Sequence, residues 1–294
     1  MPQWSTFQCD EPDFVVRSIP DGDCFKVQRQ CLEQGSSVFG DMFSCCESGY
    51  VFDSLDEDTH TLDLMESSTN LNLLFRFLHN PPVPYEEEKA EKSPIKSSRI
   101  HLMFPQSAIP FPLIPSLLKL ADKYALSPEL TECLYSHLAS YASVFPLRVY
   151  GYAVELGLDS IAAKTSMYLL DPPLSSYSVE DLKAIPTAEA YHKLVLLHDF
   201  RIKRLREILR GESIFPHGYG ECSRHAQKTV FIWERRKEDI LHLIEAATDV
   251  AAEMAQVKET FVQCETCTRA CTAALSMLEY KCAKVPKRND RIPI

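Results

Sequence analysis

Apolar and polar positions along the chain follow two regimes, short alternating runs first and a helical period later. Residues 13–17 (DFVVR) and 24–27 (CFKV) are β-branched and aromatic runs on either side of Asp21-Gly22, which predicts a β-hairpin. Residues 28–34 (QRQCLEQ) carry a helical pattern, and Ser36-Ser37 can cap a second short helix through VFGDMF. Thr61-Leu62-Asp63-Leu64 alternates with period two, as a strand with one buried face does. Ser67-Ser68-Thr69 supply N-caps for a helix through LNLLFRFLH, and Asn80-Pro81-Pro82 end it, because proline has no N–H for the ladder. Residues 83–115 differ in kind. EEEKAEKSPIKSSR is polar and charged, and IPFPLIP predicts no regular element, so a long loop is expected there, mobile over 85–99. Its Ser93-Pro94 pair is a phosphosite candidate that reads more simply as solvated loop.

From Leu117 onward the period is helical. Leu117, Leu120, Ala121 and Tyr124 share one face; Leu130, Leu134, Leu138 and Tyr141 share the next, opened by Ser127-Pro128. Further helices are expected at 147–157, 159–170, 187–209, 224–246, 247–263 and 265–283. The pattern therefore predicts an α+β domain over 1–142, a small sheet with packed helices, and an all-α domain over 143–294.

Composition narrows the function classes. The 294 residues include 31 Lys and Arg against 41 Asp and Glu, a net charge of −10. Eight of the acids (Asp41, Glu47, Asp53, Asp56, Glu57, Asp58, Asp63, Glu66) lie in 40–75 without a Lys or Arg among them. Such a run reads as a solvated face. This balance argues against nucleic acid or an anionic membrane as partner, since phosphate contacts need clustered cations. The basic run Arg201, Lys203, Arg204, Arg206 and Arg210 reads as a solvated helix face or a partner for the acidic stretch. Only 9 glycines accompany 19 prolines, which disfavours phosphate-cradling loops and dinucleotide folds. G-x-x-x-x-G-K-[ST], G-x-S-x-G and H-E-x-x-H are all absent, so no catalytic activity and no small-molecule substrate are expected. The histidines His60, His79, His137, His192, His198 and His242 read as surface or capping residues. The start of the chain has no basic, apolar leader, no apolar run reaches 18 residues, and no N-x-S/T sequon occurs. With 11 cysteines, an odd number, the expectation is a reduced intracellular chain, cytoplasmic and/or nuclear.

One cysteine constellation carries chemistry. Cys222-x-x-His225 and Cys264-x-x-Cys267 are two ligand pairs at zinc-type spacing, with Cys271 one turn later. Four soft donors of this kind suit a structural zinc, and no general base or open position points to catalysis. The competing reading is an apolar stripe, since Cys264, Cys267, Cys271, Leu278 and Cys282 also fall at helical spacing. No other cofactor is expected.

The order of elements in the first half resembles a BTB/POZ domain. Asp13-Phe14-Val15-Val16 is similar to that family's opening strand. Phe25-x-Val27-x-Arg29-x-x-Leu32-x-x-x-Ser36-x-x-Phe39-x-x-Met42-Phe43 follows its F-x-h-H-R-x-x-L-x-x-x-S-x-x-F-x-x-M-F motif. Leu62-Asp63-Leu64, Leu74-x-x-Phe77-Leu78, Leu118-x-Leu120-Ala121-Asp122-Lys123-Tyr124, Leu130 and Cys133 extend the likeness over about residues 10–142. The helical second half, with Pro146-Leu147-x-Val149-Tyr150 and the run Tyr191-x-x-Leu194-x-x-x-His198-x-x-Arg201, resembles fungal BTB proteins with a helical extension. The resemblance implies a non-enzymatic interaction protein that pairs with itself or another BTB chain through the hairpin and first helices. Asp13 and Arg29 would form a charged pocket at the dimer groove, and Phe14, Leu32 and Phe39, with Val16, Phe25 and Phe43, would divide between core and interface. Gln28 stands where the family has His. The alternative the resemblance leaves open is a substrate adaptor of a cullin-based ubiquitin ligase. Cys45-Cys46-Glu47 is a poor match to the hydrophobic-x-Glu triplet that cullin partners usually carry.

Overall fold

A computed structural model describes residues 4, 6–47, 61–84, 109–215 and 220–293. His60, Ser93-Pro94, the 85–99 segment and four of the eight acids in 40–75 (Asp53, Asp56, Glu57 and Asp58) lie outside the described residues, as do the side chains of Cys46 and Glu47. The chain is mixed α and β, and it divides into two compact units, Met1–Tyr141 and Ala142–Ile294. No helix among the described residues is long and apolar enough to cross a membrane.

In the first unit β1 (Phe14–Ser18) and β2 (Cys24–Val27) form the hairpin, turning at Gly22 with φ +77°, a left-handed value that favours glycine. Then come α1 (Arg29–Gly35), α2 (Ser37–Glu47), β3 (Thr61–Leu64), α3 (Ser68–His79), α4 (Ile114–Lys123) and α5 (Pro128–Ser140). The sheet order is β2-β1-β3, with β1 antiparallel to β2 and parallel to β3. Arg17 lies in register with Asp63 and grips it through two hydrogen bonds of 2.8 and 2.6 Å. Glu66, at the turn after β3, pairs with Lys123 of α4. The two acids nearest the sheet are therefore paired rather than merely solvated.

The core of this unit gathers on α3, whose Leu71, Leu74, Phe75 and Phe77 are fully buried, with Ser67 capping its start. The α1 helix packs on α3, and Val16, Val27, Leu32 and Phe39 likewise have no exposed surface. The α1–α2 junction is stitched to the α4–α5 junction. Ser36 Oγ donates to the Tyr124 carbonyl at 2.5 Å and accepts from the Phe39 N–H, and the Ser127 N–H donates to the Gly35 carbonyl at 2.9 Å.

Two expectations need correction here. IPFPLIP is not irregular throughout: Phe111–Leu113 forms a 3₁₀ turn, α4 begins at Ile114, and Ile109, Phe111 and Ile114 are buried. Pro112 and Pro115 both fall in the first turn of a helix, where the missing N–H has no partner to lose. The histidines are not all superficial either. His79 Nε2 accepts from the Gln28 N–H at 3.0 Å, so its Nδ1 carries the proton that is given to the Phe75 carbonyl at 2.8 Å. His137 is 1% exposed, and His198 is buried with Nε2 at 2.8 Å from the Leu169 carbonyl.

Burial holds all three histidines below their ordinary value, because a charged imidazole loses its hydration there. The sign follows directly. A group harder to protonate in the fold than in the open chain contributes its full stability above the unfolded value of about 6.5, and that stability is lost as pH falls from there through the folded value. The urea midpoint is therefore expected to fall between pH 7.5 and pH 5 for both units. A midpoint that held or rose would contradict the neutral assignment.

The second unit contains α6 (Pro146–Glu155), α7 (Asp159–Ser166), α8 (Val179–Leu182), α9 (Ala188–Gly211), α10 (Ala226–Leu241), α11 (Val250–Ala255) and α12 (Glu265–Ala283). The 24-residue α9 runs through two hydrophobic clusters. Its Ala190 and Leu194 pack with α6 and α7; its Leu205 and Leu209 pack with α10, α11 and α12. Between them Arg201, 4% exposed, donates to the carbonyls of Ala246, Val285 and Pro286 at 2.7, 3.1 and 2.8 Å. Arg206 likewise donates to the Leu241 carbonyl at 3.0 Å. These two residues correct the expectation of a solvated basic face, which holds for Lys203 and Arg204, each paired with an acid of the same helix.

Candidate metal centre

The four candidate ligand residues come from the approaches to two long helices. His225 is the N-cap of α10, and Cys222 sits one turn earlier, its carbonyl accepting from the Ala226 N–H at 3.0 Å. Cys264 is the N-cap of α12, and Cys267 lies in that helix's first turn. Neither N-cap position carries a side-chain cap, and both cap residues are instead ligand types. The Thr268 hydroxyl fixes the entry to α12 by donating to the Phe261 carbonyl at 2.7 Å.

The chain leading from α9 toward Cys222 is fastened before it arrives. Lys237 of α10, nearly buried, donates to the carbonyls of Arg210 and Glu212 at 3.0 and 2.9 Å. Trp233, with no exposed surface, donates its indole N–H to the same Glu212 carbonyl, and the Glu212 carboxylate meets Lys281 of α12 at 2.6 Å. Glu212 thus ties α9, α10 and α12 together just upstream of the ligands.

The four donor atoms converge on one point. The Sγ atoms of Cys222, Cys264 and Cys267 and a ring nitrogen of His225 all lie within 4.8 Å of one another. Cys222 Sγ is 3.6 Å from Cys264 Sγ and 3.5 Å from His225 Nδ1. A tetrahedron with zinc–sulfur bonds of about 2.3 Å and zinc–nitrogen bonds of about 2.0 Å has edges of roughly 3.7 Å between sulfurs and 3.5 Å between sulfur and nitrogen. Both separations at Cys222 agree with those edges to about 0.1 Å, so the four residues could hold a metal ion.

The surroundings act differently on the two buried thiols. The N-terminal ends of α10 and α12 carry positive partial charge. The main-chain N–H groups of Arg224 and His225 hold the Cys222 thiol well below its ordinary range, against burial, which acts the other way. Burial pushes the Cys267 thiol up, offset in part by the Thr229 hydroxyl, which donates to its sulfur at 3.3 Å. Thr229 is one helical turn beyond His225; it is missing from the sequence-level set, and only its position in α10 could have suggested it.

Both readings of the cysteines apply, to different residues. Cys264 and Cys267 belong to the ligand group; Cys271 does not, and packs with Ala274 and Leu278 as core of α12, its thiol pushed up to about 11 by burial. Cys282 lies half-buried against the same cluster and is pushed up to about 11 for the same reason.

In the first unit Asp13 and Arg29 are linked through the Arg29 main chain. The Asp13 carboxylate accepts from the Arg29 main-chain N–H at 2.7 Å, while the Arg29 guanidinium donates to Glu33 at 2.6 Å and lies 4.8 Å from the centre of the Phe43 ring. Leu32 and Phe39 are core of the single chain, as are Val16 and Phe43, whereas Phe14 and Phe25 keep part of their surface. Phe14 stands edge-on to Phe43 with centroids 5.1 Å apart. Searches of protein-family models, curated proteins and solved structures each found no match to the chain.

Proposed function

We propose that this chain is a non-catalytic protein-interaction protein whose helical unit is held together by a structural zinc. The observation that carries the zinc is the convergence of three thiols and one imidazole within 4.8 Å of one another, with the two separations at Cys222 matching tetrahedral edges. Four protein ligands close the coordination sphere, which is the pattern of zinc used for architecture. The metal would join the start of α10 to the start of α12, elements separated by 42 residues between Cys222 and Cys264. A rigid helical unit of this kind presents a fixed surface to a partner.

The first unit, in the same reading, is a BTB-like module that pairs with a second copy or a related chain. Its sequence motifs support this, and so does apolar surface left at the hairpin end. Ile19, whose N–H bonds the Leu64 carbonyl, is 44% exposed, its neighbour Met65 is 76% exposed, and Phe14 and Phe25 are only part-covered. Light scattering coupled to size exclusion tests the pairing. The expected mass at tens of micromolar is twice that of the chain; a monomer that persists on concentration removes the self-association claim. Affinity purification from cells would then read the partner of the helical unit.

A further inference from the structure

The same four side chains define an oxidation site. Cys222 and Cys264 face each other sulfur to sulfur at 3.6 Å, and a disulfide requires about 2.05 Å, so closure needs the two to approach by about 1.5 Å. Both stand at helix starts, Cys222 before α10 and Cys264 at the N-cap of α12. Access is graded. Cys264 is part-exposed, Cys222 is 7% exposed, and Cys267 is 1% exposed behind Thr229.

We infer that Cys264 and Cys222 form a peroxide-sensitive pair whose oxidation to a disulfide expels the metal. This inference rests on the zinc reading of the same site. The chemistry balances with a hydroperoxide as the two-electron oxidant. The Cys264 thiolate attacks one peroxide oxygen, the O–O bond breaks, hydroxide leaves, and a sulfenic acid forms. The Cys222 thiolate then attacks the Cys264 sulfur, forming the S–S bond and releasing the sulfenic oxygen as a second hydroxide. Two thiolates have become one neutral disulfide, leaving Cys267 and His225 of the four donors, too few to retain zinc. The disulfide crosses between the same two helix starts as the metal, so the oxidised unit keeps the connection but loses the ion.

The test uses the full chain purified with zinc and treated with hydrogen peroxide in modest excess. A chromogenic chelator follows zinc release, and peptide mapping after thiol blocking without reduction follows the cysteines. The expected result is zinc release in step with a Cys222–Cys264 crosslink, both reversed by dithiothreitol and added zinc. Zinc retained with both thiols still open to blocking, under conditions that already oxidise the exposed Cys24, would overturn the inference. So would a crosslink through Cys267 or a sulfinic acid at Cys264. If the starting chain carries no zinc, the metal reading fails separately, and the crosslink map on that chain still decides the oxidation site.

Discussion

Chelating the metal is expected to lower the unfolding temperature of the helical unit by roughly 8–16 °C. A ligand that binds only the folded state stabilises it by about 4.1 kcal/mol when free ligand stands at a thousand times its dissociation constant. For a unit of this size each kcal/mol moves the midpoint by about 2–4 °C. The helical unit keeps its own core around Trp233, Met254 and Leu278, so removal of metal should loosen it rather than unfold it outright. Loss should centre on the 220–225 turn and the entry to α12, where ligands replace ordinary caps. Cys267→Ser should melt low with or without chelator. Cys271→Ser should keep the chelator response, because Cys271 is core and not ligand. Calorimetry with and without chelator on the three chains makes the comparison, and equal melting of the unaltered chain in both buffers would contradict it.

Gly151→Ala should cost about 3 kcal/mol or more, a large effect for one methyl group. A Cβ at Gly151 of α6 would sit 1.9 Å from the carbonyl oxygen of Ala184 and 2.9 Å from its carbonyl carbon. Both are main-chain atoms, so no side-chain rotation relieves the clash. Either α6 moves away or the 182–185 turn is displaced, and with it the packing of Tyr150, Leu174 and Ile185. Gly35→Ala is the informative contrast. Its Cβ would meet Leu78 Cδ2 at 2.4 Å and Leu130 Cδ1 at 3.2 Å, side-chain tips that can yield. Urea midpoints should fall further for Gly151→Ala than for Gly35→Ala, and the reverse order would show that the α6–Ala184 approach is softer than its geometry implies.

What was legible in the sequence follows the range of the interaction. The hairpin, β3 and α3 announce themselves through local alternation, turn residues and the Ser67 cap, and they occur within a residue or two of the expected positions. IPFPLIP misled because proline density suggests irregular chain, while each proline here occupies a helix start. Arg201 and Arg206 read as solvated cations because nothing local shows that main-chain carbonyls from distant turns will satisfy them. His137 likewise looks ordinary in a helix whose buried face is otherwise leucine and cysteine. The metal pairs are half-legible. Each C-x-x-H or C-x-x-C spacing is visible, but their meeting depends on α10 and α12 starting side by side, which Glu212 with Trp233, Lys237 and Lys281 helps to fix. No short-range pattern encodes that.

Whether Cys222, His225, Cys264 and Cys267 hold an ion is the central question. Elemental analysis by plasma mass spectrometry of the full chain, purified with zinc and freed of loose metal, asks this directly. The predicted result is about one zinc per chain, falling below about 0.2 in Cys222→Ser/Cys264→Ser. Below about 0.2 zinc in the unaltered chain would return the four residues to core and turn, and would contradict the account.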